Sequence, residues 1–203
     1  QKPNHHSLLL VLYAFSHKLH LMTQKPLAVT IAAGRRMCDQ AEAADRVFGV
    51  FENARYAPAN RHLKWALEEG LLGRPQLLLM GNVGTWWTPN RIVADTPWRH
   101  DKMEAGGISL DLGVHHFNAV RFLAGEVETV QGQASIQEPR RVQIDKDGKT
   151  LAEIVADADD TYLATFRSSE GVDGNLFASW SGAGGSTIVG PGVVMHGSQG
   201  RAV

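Results

Sequence analysis

The chain has 203 residues, 43% of them hydrophobic and 20% charged, enough for one large or two small domains with a buried core. Twenty Lys and Arg against 21 Asp and Glu leave a formal net charge of -1, which lacks the basic footprint of a nucleic-acid binder. The single cysteine, Cys38, excludes an internal disulfide and, beside Met37 and Ala41 in a helical pattern, reads as core filler in a reducing compartment.

Residues 4–17 read as a helix with Asn4 as its N-cap. Its apolar run, residues 8–15, falls short of the roughly 18–20 residues of a membrane span and lacks the usual basic leader and cleavage site, so a cytoplasmic location without membrane attachment is expected. The chain opens with Gln1 and enters this helix almost at once, which reads as a fragment. A short extended stretch over 20–22 and a turn at Thr23-Gln24-Lys25-Pro26 follow.

Thr30 caps an alanine-rich helix over 30–44, and 46–51 reads as a buried parallel strand. Pro58 starts a helix that runs to Gly70, with Leu63, Ala66 and Leu67 at helical spacing. The texture changes at Gly73, giving a boundary between domains 1–73 and 74–203. Beyond it come a strand over 76–83, a loop rich in Trp, Pro and Asp over 84–107, and a helix over 108–124 ended by Gly125. Strands are expected over 127–137, 161–168, 175–181 and 193–197, with a hairpin turn at 171–174 and an acidic stretch over 145–160 that includes a solvated loop. The fold class is α/β, a partial parallel-sheet unit followed by an α+β domain with a largely antiparallel open sheet.

The most informative run is residues 106–118, a glycine hinge entering a helix that carries Asp111 and His115 four apart. On one helix face that spacing lets the carboxylate orient the imidazole and favour its protonated form. A half-buried histidine satisfied by a local carboxylate is the plainer reading of the same spacing. Gly113 weakens the helix, which fits close approach of another group to its backbone. Although Asp111, His115 and His116 are all potential zinc ligands, adjacent helical residues diverge by about 100°, so no metal is expected. Lys25 follows a strand end, where open α/β sheets form their crevices. Trp98, Arg99, Arg55 and Tyr56 offer rings and guanidinium groups to a polyhydroxylated ligand, with surface packing as their alternative.

In order, these pieces resemble the Gfo/Idh/MocA (glucose-fructose oxidoreductase / inositol dehydrogenase) family. Pro3-Asn4-His5 is similar to its Thr-Pro-Asn segment and Gln24-Lys25-Pro26 to its Glu-Lys-Pro signature. Arg55-Tyr56-Ala57-Pro58 matches its Arg-aromatic-x-Pro helix start, and Gly106-Gly107 with Asp111-x-Gly113-x-His115 its catalytic helix. His196-Gly197-Ser198-Gln199-Gly200 is similar to a late strand-turn. The resemblance implies a Rossmann domain binding NAD or NADP, a sugar, cyclic polyol or related hydroxy compound as substrate, and a homo-oligomer. It puts Asn4, Gln24, Lys25 and Arg99 at the cofactor and Arg55, Tyr56, Trp98 and Asn118 at the substrate. His115 becomes the general acid/base, assisted by Lys25 and Asp111. A ligand-sensing or regulatory relative and an NAD-dependent glycosidase are the alternatives on the same fold. No Gly-x-Gly-x-x-Gly occurs near the start, Gln24 stands in place of the family glutamate, and Asn118 stands where many relatives carry Asp.

Overall fold

The computed structural model describes residues 7–84, 87–184 and 192–203. Asn4 and the start of the first helix lie outside the described residues. Within them α1 spans Ser7–Ser16, β1 Leu21–Gln24, α2 Ile31–Ala43 and β2 Phe48–Phe51. Thr30 caps α2 as expected, its Oγ1 accepting from the Ala33 N–H at 3.2 Å. Gly34, Met37 and Ala41 repeat at helical spacing and turn inward, Met37 and Ala41 onto Val11 and Phe15 of α1. Cys38 is exposed, not core filler, because one residue of helix carries it about 100° away from Met37.

Strands β1 and β2 pair in parallel, Leu21 opposite Phe48 through Gln24 opposite Phe51. The strand therefore reaches Gln24, and the turn begins only at Lys25. The 46–51 stretch is parallel as expected but not buried: Phe51 is 54% exposed, in a sheet of two strands among the described residues.

A 3₁₀ turn over Ala54–Tyr56 leads into α3, Pro58–Glu68, with Pro58 at its first turn, where a missing N–H costs nothing. The remaining elements are β3 Pro75–Val83, α4 Ile108–Asp111, α5 Gly113–Ala124, β4 Val127–Ser135, β5 Arg140–Ile144, β6 Thr150–Val155, β7 Thr161–Ser168, β8 Asp173–Ser179, β9 Val193–Gly197 and β10 Arg201–Ala202. Six strands form one sheet in the order β10-β9-β3-β8-β7-β4, antiparallel except for β3 beside β8. The fold is thus mixed α/β with a mostly antiparallel main sheet.

Burial alternates strictly along β7, with Tyr162, Ala164 and Phe166 facing inward, so one sheet face carries the core. Helix α5 packs on β3 and α4 on β7. Leu78, Ile108, Leu176, Trp180 and Met195 fill the space between, and Leu63 and Leu72 from before residue 73 join that same cluster. No helix among the described residues is long and apolar enough to cross a membrane.

The 145–160 stretch includes the expected solvated loop, an exposed turn after Asp145 that joins β5 and β6 as a hairpin, but it ends at Asp160, which is fully buried. The expected helix over 108–124 is broken at Leu112. In an unbroken helix the Asp111 carbonyl would take the His115 N–H. Here His115 N donates to Leu112 O at 3.0 Å, and the Asp111 carbonyl accepts from Lys25 Nζ at 2.6 Å. A side chain 86 residues away has replaced a helical hydrogen bond.

Candidate active site

Lys25 and Glu52 each follow the last residue of one of two paired parallel strands, since Gln24 and Phe51 are register partners. Both side chains therefore leave the sheet at the same level, where open α/β sheets form their crevices. Above them stand α4 and α5, entered through Gly106 and Gly107. A Cβ on Gly106 would lie 2.6 Å from the carbonyl oxygens of Trp98 and Arg99, and Gly107 has φ +108°. That close approach draws the Trp98-Arg99 loop against the start of α4.

Lys25 Nζ donates to Asp111 Oδ1 at 2.6 Å as well as to its carbonyl, and Arg99 Nε donates to Asp111 Oδ2 at 3.0 Å. Burial alone would raise the Asp111 carboxyl, but the hydrogen bond and charge of Lys25, joined by those of Arg99, outweigh it and hold the group below its ordinary range. Asp111 is therefore a fixed anion. An ammonium has three N–H donors, and two of those of Lys25 are spent on Asp111. The Arg99 guanidinium also lies 4.5 Å over the Trp98 ring. The indole Nε1–H of Trp98 is buried and has no hydrogen-bond partner among the described residues.

The predicted pairing of Asp111 with His115 does not form. With the helix broken between them, His115 Nδ1 lies 2.7 Å from Glu52 Oε1, and the same oxygen accepts from the Ala54 N–H at 2.7 Å. Glu52 escaped the sequence reading as a partner because 63 residues separate the two. The available signal was its position one residue past a strand, the same feature that marked Lys25. His115 and His116 diverge as expected: His116 turns to the Tyr162 hydroxyl in a hydrogen bond. Burial, with the His115 charge beside it, lowers His116 to about 4, and burial raises the Tyr162 phenol. His116 is thus a neutral support for α5.

The remaining predicted residues divide. Arg55 Nε donates to Asn118 Oδ1 at 3.1 Å, and its guanidinium lies 5.7 Å over Phe122, so these two join β2 and α3 to α5. Tyr56 is 67% exposed and the Gln24 side chain is exposed. Gly113 admits no close protein neighbour, because a Cβ there would lie at an ordinary 3.9 Å from the Tyr162 ring. It lines instead a mostly apolar cavity of about 610 Å³ between the segment after Lys25 and the helices α4 and α5. No cluster of three metal-binding side chains occurs among the described residues.

The sequence is similar to myo-inositol 2-dehydrogenase of Thermotoga maritima, 31% identical over 134 residues, covering 66% of this chain and 37% of that one. It is similar also to levoglucosan dehydrogenase of Pseudarthrobacter phenanthrenivorans, 27% identical over 215 residues, covering 99% of this chain and 53% of the other. A solved structure of levoglucosan dehydrogenase in complex with NADH and levoglucosan superposes with a TM-score of 0.79 at 26% identity, over 98% of this chain and 51% of that chain. The chain thus spans about half, or less, of these relatives. The model of the GFO/IDH/MocA C-terminal domain matches residues 60–203, and the chain belongs to that family.

Proposed function

We propose that the protein carrying this chain is an NAD- or NADP-dependent oxidoreductase acting on a hydroxyl of a sugar, cyclic polyol or related compound, with His115 as general acid/base. The observation that carries this reading is the separation of two charge systems at one strand-end crevice. Lys25 is locked on the anionic Asp111, while His115 rests on its own carboxylate. A cation held by a fixed anion cannot serve as a mobile base, but its third N–H can bind a hydroxyl oxygen. His115 is then the group free to move the proton.

The residues fit the nicotinamide end of such a cofactor: a cation stands at the carboxyl end of parallel strands, beside an indole N–H with no acceptor among the described residues. Bound NAD(P) supplies the acceptor or donor of hydride. In the oxidative direction His115 takes the hydroxyl proton. Lys25 holds the substrate oxygen, Asp111 and Arg99 fix Lys25 and its loop, and the Trp98 Nε1–H offers a donor to a further hydroxyl. Arg55 and Asn118 set the position of α5 under the substrate. Residues 1–73 then form part of the dinucleotide-binding domain and 74–203 that of the substrate domain, in a cytoplasmic homo-oligomer.

The test is His115→Ala in the full-length gene product, assayed with both nicotinamide cofactors over a panel of sugars and polyols. Turnover should fall by about 10²–10⁴, while tryptophan-to-nicotinamide energy transfer still reports cofactor binding. Near-normal turnover would remove His115 from the chemistry.

A further inference from the structure

We infer that Glu52 is a positioning residue: it holds His115 in the tautomer with the proton on Nδ1, so that Nε2 is the nitrogen that exchanges a proton with substrate. The inference rests on the reading of His115 as the proton-transfer group.

The donors and acceptors of the two groups fix the tautomer. Glu52 Oε1 accepts the Ala54 N–H at 2.7 Å and lies 2.7 Å from His115 Nδ1. An ionised carboxylate only accepts, so the neutral imidazole must present Nδ1–H to it and leave the Nε2 lone pair bare. The opposite tautomer would set a lone pair against a carboxylate oxygen at that distance. Glu52 is itself held from both sides. It leaves the end of β2 one residue past the register pair Gln24 and Phe51, and its contact with Ala54 N closes the chain over it at the start of the 3₁₀ turn.

The second oxygen sharpens the case. Glu52 Oε2 is buried and has no hydrogen-bond partner among the described residues, and the side chain is only 9% exposed. Elsewhere in this chain a buried carboxylate is surrounded by donors: Asp160 takes five. Among the described residues Glu52 has two partners, the imidazole and one backbone amide, both on one oxygen. When His115 takes up the substrate proton, that carboxylate faces the new cation directly, and the imidazolium is stabilised where it forms. Asp111, the acid that the sequence spacing suggested for this work, is already neutralised by Lys25 and Arg99.

Three substitutions separate charge from tautomer in the full-length gene product, with histidine labelled by ¹⁵N and the imidazole nitrogens of His115 followed by NMR. The wild type should show the Nδ1–H form. In Glu52→Gln the amide oxygen still accepts from Nδ1–H, so the tautomer should persist while kcat falls about tenfold for loss of the charge. In Glu52→Ala the tautomer should become mixed and kcat should fall about a hundredfold or more, with the KM for nicotinamide cofactor within about twofold of wild type. Glu52→Asp, or formate added to Glu52→Ala, should recover part of the loss, which a purely structural defect would not allow. An Nε2–H wild type, or an unchanged tautomer and kcat in Glu52→Ala, overturns the inference. If His115→Ala proves active while the Nδ1–H form still depends on Glu52, the catalytic reading fails and the positioning contact stands.

Discussion

Asp160 and Asp111 are both partly or wholly buried and paired with arginine or lysine, and their surroundings differ. Asp160, at the start of β7, is fully buried with Arg141 of β5, and its two oxygens accept from Arg141, Ser181, Thr161 and the N–H groups of Gln137 and Glu138. Arg141 spends its remaining donors on Ser181 and on the carbonyls of Glu138, Pro89 and Arg91. Asp111, at the end of α4, has two cationic partners and keeps 17% of its side chain exposed. The first cluster is closed and joins the β5–β6 hairpin and the 89–91 loop to the main sheet. The second borders a crevice, and its lysine retains a donor. The difference teaches that saturation of the polar groups, more than the presence of an ion pair, separates a structural cluster from one that can serve a ligand.

The largest effect expected from breaking this comparison is on stability. Asp160→Ala leaves the Arg141 guanidinium buried without its counter-ion and should cost about 3–5 kcal/mol in denaturant unfolding. Lys25→Met leaves Asp111 paired with Arg99, so it should lower turnover severely and stability far less. Equal losses of stability in the two variants would erase the distinction.

Acid should act on the closed region before it reaches the ion pairs. His100, 2% exposed, accepts the Val93 N–H through Nε2 and packs edge-on to Trp180. Burial, then the charge of Arg141, lower it to about 4 from 6.5. Between those values the unfolded chain binds a proton that the folded chain refuses, so stability rises with pH across the window and is lost as pH falls from about 6.5 to 4. The shift corresponds to about 3 kcal/mol for His100, and His116, lowered to about 4 as well, acts in the same direction. Asp111 has the sign of an ordinary paired carboxylate: its contribution is present above the unfolded value and is lost only as pH falls below it. Denaturant unfolding at pH 7.5, 6 and 5 measures the slope, and His100→Gln, which keeps an acceptor for Val93 N, should flatten it.

Much of the candidate site was legible in the sequence because its residues stand at element boundaries. Lys25 follows a strand, Pro58 opens a helix, and Gly106-Gly107 precede the segment that carries Asp111 and His115. Their partners were not legible. Spacing matched Asp111 to His115 on a continuous helix, and nothing local in Ser-Leu-Asp-Leu-Gly announces that Lys25 will take the Asp111 carbonyl and break it. Glu52 lies 63 residues from the ring it supports. The acidic stretch before β7 was legible only in its exposed turn. Charge in a sequence reads as solvent, and only the fold shows that Asp160 faces Arg141 inside the protein while Asp145 sits in a hairpin turn. Cys38 failed by a single helical step.

The smallest effect concerns the residue that separates the two clusters. Asp159 precedes the buried Asp160, yet its side chain turns toward α4, where Oδ2 accepts from the Ser109 N–H at 2.9 Å and from the Ser109 hydroxyl. Its carbonyl also takes the Ile108 N–H at 2.8 Å. Helix α4 has no side-chain cap of its own, so Asp159 caps it from across the sequence and ties the element bearing Asp111 to the β7 end that holds the closed cluster. Asp159→Ala should cost about 1–2 kcal/mol in unfolding, the range of a lost N-cap. Because Lys25 and Arg99 still grip Asp111, the displaced helix should cost a few-fold in turnover, not the loss expected of His115→Ala. A stability loss with turnover intact would show that the grip of Lys25 and Arg99 is enough to place Asp111. A turnover loss as large as that of His115→Ala would show that the active site depends on the structural cluster for its geometry.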